Sequence, residues 1–270
     1  AHAGAEEIVT AFVREQGIAP AALCVGIAGP VRDGVCRATN LPWTVTAVGL
    51  ARAAGIGRAV ALECAAEGAA VVLHYANSRA GADSAVAEIA AAGGVARAVQ
   101  ADLGVVAECL RLVDTAAEFL GGLDILINNA GIASGGRIDV ADMAEWHRAV
   151  EVNLLGAVRG CRTFVPVFKA QESGTIVNVA SLAGLVHPPA MASYTATKAG
   201  VVALSETLRH ELHPWGIDVF VACPGFFRTN LASSVDSADP LTSSLTQSLI
   251  GRSTLDADDI ASAILRGMDD

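Results

Sequence analysis

Short apolar runs alternate with Ala-rich amphipathic stretches along most of the chain. The runs rich in Val, Ile and Leu predict strands near residues 45–50, 70–75, 95–100, 124–128, 175–180 and 217–222. The stretches between them predict helices near residues 56–67, 80–92, 105–120, 140–170, 191–213 and 256–267. Strands that alternate with helices indicate βαβ units, so we expect an α/β fold with a doubly wound parallel sheet and helices on both faces. Ligands of such sheets bind at the carboxyl ends of the strands.

The first 43 residues do not show this alternation. A helix-like stretch at Glu6–Glu15 and an apolar run at Ala21–Ile27 precede a Gly29-Pro30 turn. The sequence therefore predicts two parts, which are an N-terminal appendage at residues 1–43 and one α/β domain at residues 44–270.

The composition supports a globular domain with a large core. Hydrophobic residues make up 53% of the chain and charged residues 17%, with a mean hydropathy of +0.47, which excludes a mainly disordered chain. Apolar stretches are interrupted before they reach the roughly 18 residues of a membrane-spanning helix, so we expect no membrane partner. A net charge of -10 argues against binding to nucleic acid or anionic lipid.

The cysteines are scattered, without a Cys-x-x-Cys pair or the Cys/His spacing of a metal site. They are Cys24, Cys36, Cys64, Cys109, Cys161 and Cys223. We therefore predict buried free thiols and no metal centre. The N-terminal residues lack the basic, apolar and small-residue regions of a secretion signal. Together these observations favour a reducing, cytoplasmic location.

Three polar residues have a spacing that suits proton transfer. Tyr194 follows Ser181 by thirteen residues, and Lys198 follows Tyr194 by four, one turn along the same predicted helix face. An ordinary tyrosine has a pKa of about 10, so acid/base chemistry near neutral pH needs a cation that stabilises the phenolate. Lys198 supplies that charge.

With these residues in place, the stretch from 44 to 270 resembles the short-chain dehydrogenase/reductase family. Further marks occur in the family's order, among them Asn128-Asn-Ala-Gly131 after the fourth predicted strand and Pro224-Gly225 after the sixth. The resemblance implies a Rossmann-like fold. It also implies an enzyme that interconverts a ketone or aldehyde with an alcohol by hydride transfer, with a small-molecule carbonyl or alcohol as substrate.

The resemblance implies four catalytic residues. Ser181 would hold the substrate oxygen, Tyr194 would transfer the proton, and Lys198 would also grip the nicotinamide ribose. Asn153, in Val152-Asn-Leu-Leu-Gly156, resembles the fourth member, which bends its helix around a proton-relaying water.

A glycine-containing loop, Leu50-Ala-Arg-Ala-Ala-Gly55-Ile-Gly57, precedes the first predicted helix of the domain. Glycines there let the backbone approach a pyrophosphate at the amide end of a helix. The resemblance extends the expected cofactor contacts to Ala51, Gly55, Ile56, Gly57, Asp102, Asn129, Ala130, Gly131, Tyr194, Lys198, Pro224, Gly225 and Thr229.

The end of the second strand indicates which cofactor is preferred. Tyr75 occupies the place where an acidic residue would bind the adenosine ribose of NAD. Asn77, Ser78 and Arg79 follow, and this loop resembles relatives that prefer NADPH. This loop would attract a 2′-phosphate rather than repel it, so we expect NADP(H) rather than NAD(H).

The N-terminal part carries a second resemblance. The segment Leu23–Trp43 resembles part of the N-terminal lobe of bacterial glucokinases. Those kinases also need an upstream phosphate loop and a downstream catalytic Asp, and the chain shows neither in place. We interpret residues 1–43 as a fused remnant or an interface element rather than a sugar kinase.

Two further expectations follow from the family pattern. Relatives often continue into one more strand after the final helix, whereas this chain stops at Asp270, so the last strand is expected to be missing. Family members pair through the helices that carry Asn153 and Tyr194, which predicts a homodimer.

One alternative remains open, because Leu50 and Ala51 stand where the family has Thr and Gly. The chain would then be a catalytically impaired cofactor-binding pseudoenzyme or a fusion fragment.

Overall fold

The computed structural model describes residues 44–48, 56–103, 105–225 and 256–269. Within these residues, six parallel strands form one sheet in the order β3-β2-β1-β4-β5-β6. The strands are β1 (Thr44–Val48), β2 (Ala70–Tyr75), β3 (Ala96–Gln100), β4 (Ile125–Asn128), β5 (Gly174–Val179) and β6 (Ile217–Ala222). This order confirms the predicted doubly wound, Rossmann-like sheet. The predicted appendage at residues 1–43 lies outside the described residues.

Helices connect the strands at nearly the predicted places. They are α1 (Ile56–Ala66), α2 (Arg79–Ala91), α3 (Val106–Leu120), α4 (Met143–Ala149), α5 (Gly156–Gln171), α6 (Ala183–Val186), α7 (Ala192–Leu212) and α8 (Ala257–Asp269). The helix predicted at 140–170 is divided, because a π-helical segment at Val150–Leu155 joins α4 to α5. The short helix α6 was not predicted.

The sheet has a separate apolar core on each face, as alternating residues of β2 show. Val71 and Leu73 pack with residues of α1, α2 and α8. Val72 packs on the other side with residues of α3 and α5. Strands covered on both faces are typical of parallel sheets, and this is why β2 and β4 are mainly apolar and buried.

A buried chain of hydrogen bonds links the carboxyl ends of β4 and β5 to α7. Asn128 Nδ2 donates to Asn178 Oδ1 at 2.8 Å, and Asn178 Nδ2 donates to Ser205 Oγ at 2.9 Å. Ser205 in turn donates to the Val201 carbonyl at 2.7 Å. Asn128 also packs against Gly160 of α5, where an added Cβ would collide with the amide oxygen. These contacts fix α7 relative to the strand ends where the predicted site lies.

The described cysteines agree with the prediction of buried free thiols. Cys64, Cys109, Cys161 and Cys223 are free and buried, whereas Cys24 and Cys36 lie outside the described residues. No helix in the described part of the chain has the length and apolar character needed to cross a membrane.

Candidate active site

Three of the predicted catalytic side chains meet beyond the carboxyl end of β5. Ser181 follows that strand, while Tyr194 and Lys198 lie in the first turns of α7. The Ser181 hydroxyl hydrogen-bonds the Tyr194 phenol and also accepts from the Ala183 backbone N–H at 3.2 Å. Lys198 Nζ lies 5.8 Å from the centre of the Tyr194 ring and donates to the Val179 carbonyl at 2.8 Å. The spacing seen in the sequence therefore corresponds to a real cluster.

Burial dominates the electrostatics of this cluster. Tyr194 is 9% exposed and Lys198 is 3% exposed. Desolvation raises the pKa of Tyr194, and the hydrogen bond from Ser181 opposes this only in part. Desolvation lowers the pKa of Lys198 to about 8, with the Cys223 thiol acting in the opposite direction. Burial is the larger of the two causes, so the pKa of Tyr194 lies above its ordinary value, and the expected lowering by Lys198 stays a prediction.

Asn153 lies in the π-helical segment between α4 and α5, and it joins two other parts of the site. Its Oδ1 accepts from the Ile132 backbone N–H at 2.7 Å, and its Nδ2 donates to the Ile132 carbonyl at 3.0 Å. The same Nδ2 lies 3.3 Å from the hydroxyl of Thr197, the residue before Lys198. A π-helical turn is wider than an α-helical one and is often found at functional sites. Asn153 thus holds the loop after β4 against α7.

The Asn129-Ala130-Gly131 segment begins that loop. All three residues are partly buried. A Cβ on Gly131 would lie 3.3 Å from Lys198 Nζ and 3.5 Å from Asn153 Oδ1. The loop backbone therefore lies close to the ammonium group, and a side chain at this position would require Lys198 to shift by a few tenths of an ångström.

The described cofactor-site residues near β1 and β2 differ in exposure. Ile56 and Gly57 are buried at the start of α1. Tyr75 ends β2 and is 6% exposed, whereas Asn77 is exposed and Ser78 partly exposed. The Arg79 side chain is 78% exposed and pairs with Asp83 at 3.3 Å. Ala51 and Gly55 lie outside the described residues.

Two more predicted segments reach the same edge of the sheet. Asp102 follows β3, is exposed, and its backbone N–H donates to Glu108 at 2.6 Å. Pro224 and Gly225 follow β6, and the Pro224 carbonyl accepts from the Leu182 backbone N–H at 2.9 Å. That bond places this segment beside Ser181, while Thr229 lies outside the described residues.

Sequence reasoning missed a second polar cluster next to Tyr194. Glu145 of α4, Ser134 and Ser193 are all buried, although none belongs to a recognised motif. The two serine oxygens lie 2.9 Å apart, and a Glu145 oxygen accepts from the Gly135 backbone N–H at 3.0 Å. Only the position of Ser193 directly before Tyr194 could have drawn attention to it.

The loop between Ser181 and Tyr194 contains two residues in the left-handed region. His187 has a φ of 52° and Ala190 a φ of 58°. Such conformations are costly for residues with a Cβ and persist where surrounding contacts impose them. Gly136 supplies one such contact, since its N–H donates to the Ala190 carbonyl at 2.7 Å.

Across the described ranges, no group of three His, Cys, Asp or Glu side chains could hold a metal ion.

Sequence comparison identifies two families along the chain. The model of the short chain dehydrogenase family matches residues 45–240. The glucokinase model matches residues 1–73, so the two matches overlap at residues 45–73. The glucokinase resemblance therefore extends beyond the appendage expected at residues 1–43.

Individual relatives give the same picture. The chain is 37% identical over 187 residues to the 3-oxoacyl-[acyl-carrier-protein] reductase of Synechocystis, covering 69% of this chain and 75% of that protein. It is 37% identical over 212 residues to an uncharacterized oxidoreductase of Methylorubrum extorquens, covering 78% of this chain and 84% of that one.

Solved structures agree with the sequence comparison. A short chain dehydrogenase/reductase from Burkholderia phymatum in complex with NAD has a TM-score of 0.78 and 30% identity, over 84% of this chain and 86% of that one. An NAD+-bound xylitol dehydrogenase has a TM-score of 0.73 and 28% identity, over 84% and 92% of the two chains. The fold, the family match and these relatives together show that the chain belongs to the short-chain dehydrogenase family of NAD(P)-dependent oxidoreductases.

Proposed function

We propose that this protein reduces a ketone or aldehyde to an alcohol with NADPH, and that Tyr194 is the proton donor. The observation that carries the proposal is the buried cluster of Ser181, Tyr194 and Lys198. Because burial raises the pKa of Tyr194, the phenol is protonated near neutral pH. A protonated phenol is the form that donates a proton to a carbonyl oxygen.

The other residues of the cluster have distinct roles in this proposal. The Ser181 hydroxyl, which hydrogen-bonds the phenol, also holds the substrate oxygen within reach of Tyr194. Lys198 carries its charge below a pKa of about 8 and so stabilises the phenolate left after proton transfer. Asn153 hydrogen-bonds both Ile132, in the loop after β4, and Thr197, the residue before Lys198, and so keeps the loop and α7 together.

The residues at the carboxyl edge fit a dinucleotide. The order of strands reverses between β1 and β4, and a crevice at such a point is the usual dinucleotide site of this sheet type. α1 begins there, and the free backbone N–H groups at the start of a helix suit a pyrophosphate. The absence of a side chain at Gly131 leaves the backbone close to Lys198. When bound, the nicotinamide supplies the hydride.

The preference for NADPH rests on the loop after β2. No carboxylate stands at the strand end, since Tyr75 is there and is buried. Asn77 and Arg79 are exposed, and Ser78 is partly exposed. A 2′-phosphate would attract the guanidinium and compete with Asp83 for it. We therefore infer that the Arg79→Ala substitution lowers the affinity for NADPH more than the affinity for NADH.

The substrate and the assembly state complete the proposal. One relative is named a 3-oxoacyl-[acyl-carrier-protein] reductase, so a 3-oxoacyl thioester is the first substrate class to assay. We further propose a homodimer that pairs through the helices carrying Asn153 and Tyr194. Size-exclusion chromatography with light scattering tests it, and a monomer mass would reject it.

A second candidate follows from a specific departure from the family sequence. Leu50 and Ala51 replace the Thr and Gly of the phosphate loop, inside the region that also matches glucokinases. A Cβ at such a glycine position crowds the phosphates. The chain would then be a cofactor-binding protein with impaired turnover, or a fusion fragment.

Titration with NADPH and NADH distinguishes the two candidates. Nicotinamide fluorescence and melting temperature report binding, and carbonyl reduction reports turnover, with Tyr194→Phe as the inactive control. Binding with turnover that Tyr194→Phe abolishes supports the enzyme. Binding without turnover supports the cofactor-binding protein with impaired turnover, and absence of binding by both nucleotides rejects the enzyme in favour of the fusion fragment.

A further inference from the structure

Glu145 is an unusual residue because it places a carboxylate in the interior beside the candidate site. It is 9% exposed. One carboxylate oxygen accepts from the Gly135 backbone N–H at 3.0 Å and from the Ser193 hydroxyl at 3.5 Å. The ion pairs of the described residues do not include Glu145. A buried carboxylate is costly to desolvate, and an apolar side chain would fill the space at lower cost.

The partners of Glu145 belong to two different parts of the site. Gly135 lies in the loop after β4, four residues beyond Gly131. Ser193 lies in the first turn of α7, directly before Tyr194. Glu145 itself is on α4, which continues through the π-helical segment to Asn153. One side chain therefore connects the loop, the Asn153 helix and the Tyr194 helix.

Two neighbouring contacts support this connection. The Ser134 and Ser193 oxygens lie 2.9 Å apart, and both side chains are 2% exposed. Gly136 forms a parallel bridge with Met191, and its N–H donates to the Ala190 carbonyl. Ala190 has its strained φ of 58° where these contacts hold it. The loop is thus fastened to the start of α7 at successive positions.

We propose that Glu145 is a positioning residue that sets the place of Tyr194 relative to the loop after β4. It acts through Ser193 and the Gly135 N–H, and it contacts neither substrate nor cofactor. The effect on catalysis rests on the proposed function, whereas the effect on the loop does not. The role depends on hydrogen-bond acceptance, so glutamine, which keeps a carbonyl oxygen at the same reach, should largely replace it.

Three variants test the proposal by hydrogen exchange. Glu145→Ala removes the acceptor, Glu145→Gln keeps one, and Glu118→Ala changes an exposed glutamate of α3 as the control. We expect the Gly135 amide to exchange about tenfold faster in Glu145→Ala, as loss of a hydrogen bond to a charged group implies. Glu145→Gln and Glu118→Ala should stay within about twofold of the wild type. Unchanged exchange in Glu145→Ala would overturn the proposal, even if the protein binds no nucleotide.

Kinetics at a temperature well below each melting point give the second readout. We expect Glu145→Ala to lower kcat for carbonyl reduction about tenfold while the Kd for NADPH changes less than about twofold. Glu145→Gln should restore most of kcat. A merely structural role would lower the melting temperature and leave this kcat intact. Equal impairment in Glu145→Gln and Glu145→Ala would also reject positioning by hydrogen bonding.

Ser193→Ala keeps the test decisive if Glu145→Ala fails to fold. It removes one hydroxyl that contacts both Glu145 and Ser134. We expect a lower kcat with unchanged NADPH affinity, as for Glu145→Ala. A kcat equal to that of the wild type would contradict the proposed path from Glu145 to Tyr194.

Discussion

Replacing Lys198 by methionine should stabilise the protein while removing its activity. The chain has two lysines, Lys169 and Lys198, and only the second is fully buried. Burial lowers the pKa of Lys198 from 10.5 to about 8. Because a tenfold change in proton affinity corresponds to about 1.4 kcal/mol, the folded state loses about 3 kcal/mol at neutral pH by holding this charge.

A smaller loss offsets part of this gain. The Val179 carbonyl accepts from Lys198 Nζ at 2.8 Å, and leaving it without a donor costs about 1–2 kcal/mol. Methionine has a similar length and no charge, so it should fill the space. The net expectation for Lys198→Met near neutral pH is a free energy of unfolding about 1–2 kcal/mol higher, or a melting temperature higher by about 4 °C.

The pH dependence provides a second check. The pKa of Lys198 is lower in the folded than in the unfolded state, so between about pH 8 and 10.5 the unfolded state binds more protons. The wild type should therefore gain stability as the pH rises through this window, and its difference from Lys198→Met should shrink. Below about pH 8 both states are protonated and the full cost of burial remains.

Urea denaturation near neutral pH and at about pH 9.5 measures both effects. Lys169→Met is the matched control, because Lys169 Nζ lies 4.6 Å from the centre of the Trp215 ring. That contact contributes about 0.5–1 kcal/mol, so the control should be slightly less stable than the wild type at both pH values. A Lys198→Met protein less stable than the wild type near neutral pH would refute the reasoning.

Other side chains give further tests. Tyr194→Phe should lower kcat about a hundredfold or more while NADPH still raises the melting temperature, since only the proton donor is lost; an active variant would remove Tyr194 from the mechanism. Burial lowers the pKa of His74, so the unfolded state binds a proton at a higher pH than the folded state does. Urea denaturation should therefore show the free energy of unfolding falling as the pH drops below about 6.5, and His74→Gln should reduce this fall. An unchanged pH profile in His74→Gln would contradict His74 as the cause. Gly160→Ala should cost about 1–3 kcal/mol in a thermal melt, because the new Cβ would collide with Asn128, whereas Gly122→Ala has open space and should be neutral.

The sheet could be predicted from sequence because short runs rich in Val, Ile and Leu alternate with helical stretches along the chain. β2 is the clearest case, since Ala70–Tyr75 was predicted at its observed bounds. The π-helical segment at Val150–Leu155 could not be predicted from apolar spacing, because it changes the backbone pairing within a continuous helical stretch.

The candidate site was predictable only where residues close in sequence define it. Tyr194 and Lys198 lie one helical turn apart on the same helix, so their proximity could be predicted from their spacing in the sequence. The raised pKa of Tyr194 depends on burial by distant segments, which no local spacing encodes. Glu145 was missed because its partners, Gly135 and Ser193, are brought to it only by the folded chain.

The central place of β1 has an evolutionary consequence. β1 pairs with β2 on one side and with β4 on the other, and residues 45–73 match both a dehydrogenase and a glucokinase. A parallel ladder is built from backbone groups, so it accepts any extended apolar segment in the correct register. A strand acquired by recombination can therefore complete the architecture, while the loop that follows it brings foreign chemistry to the nucleotide. Such a hybrid would fold through backbone pairing of the new strand, whereas its affinity for a ligand would depend on the loop acquired with that strand.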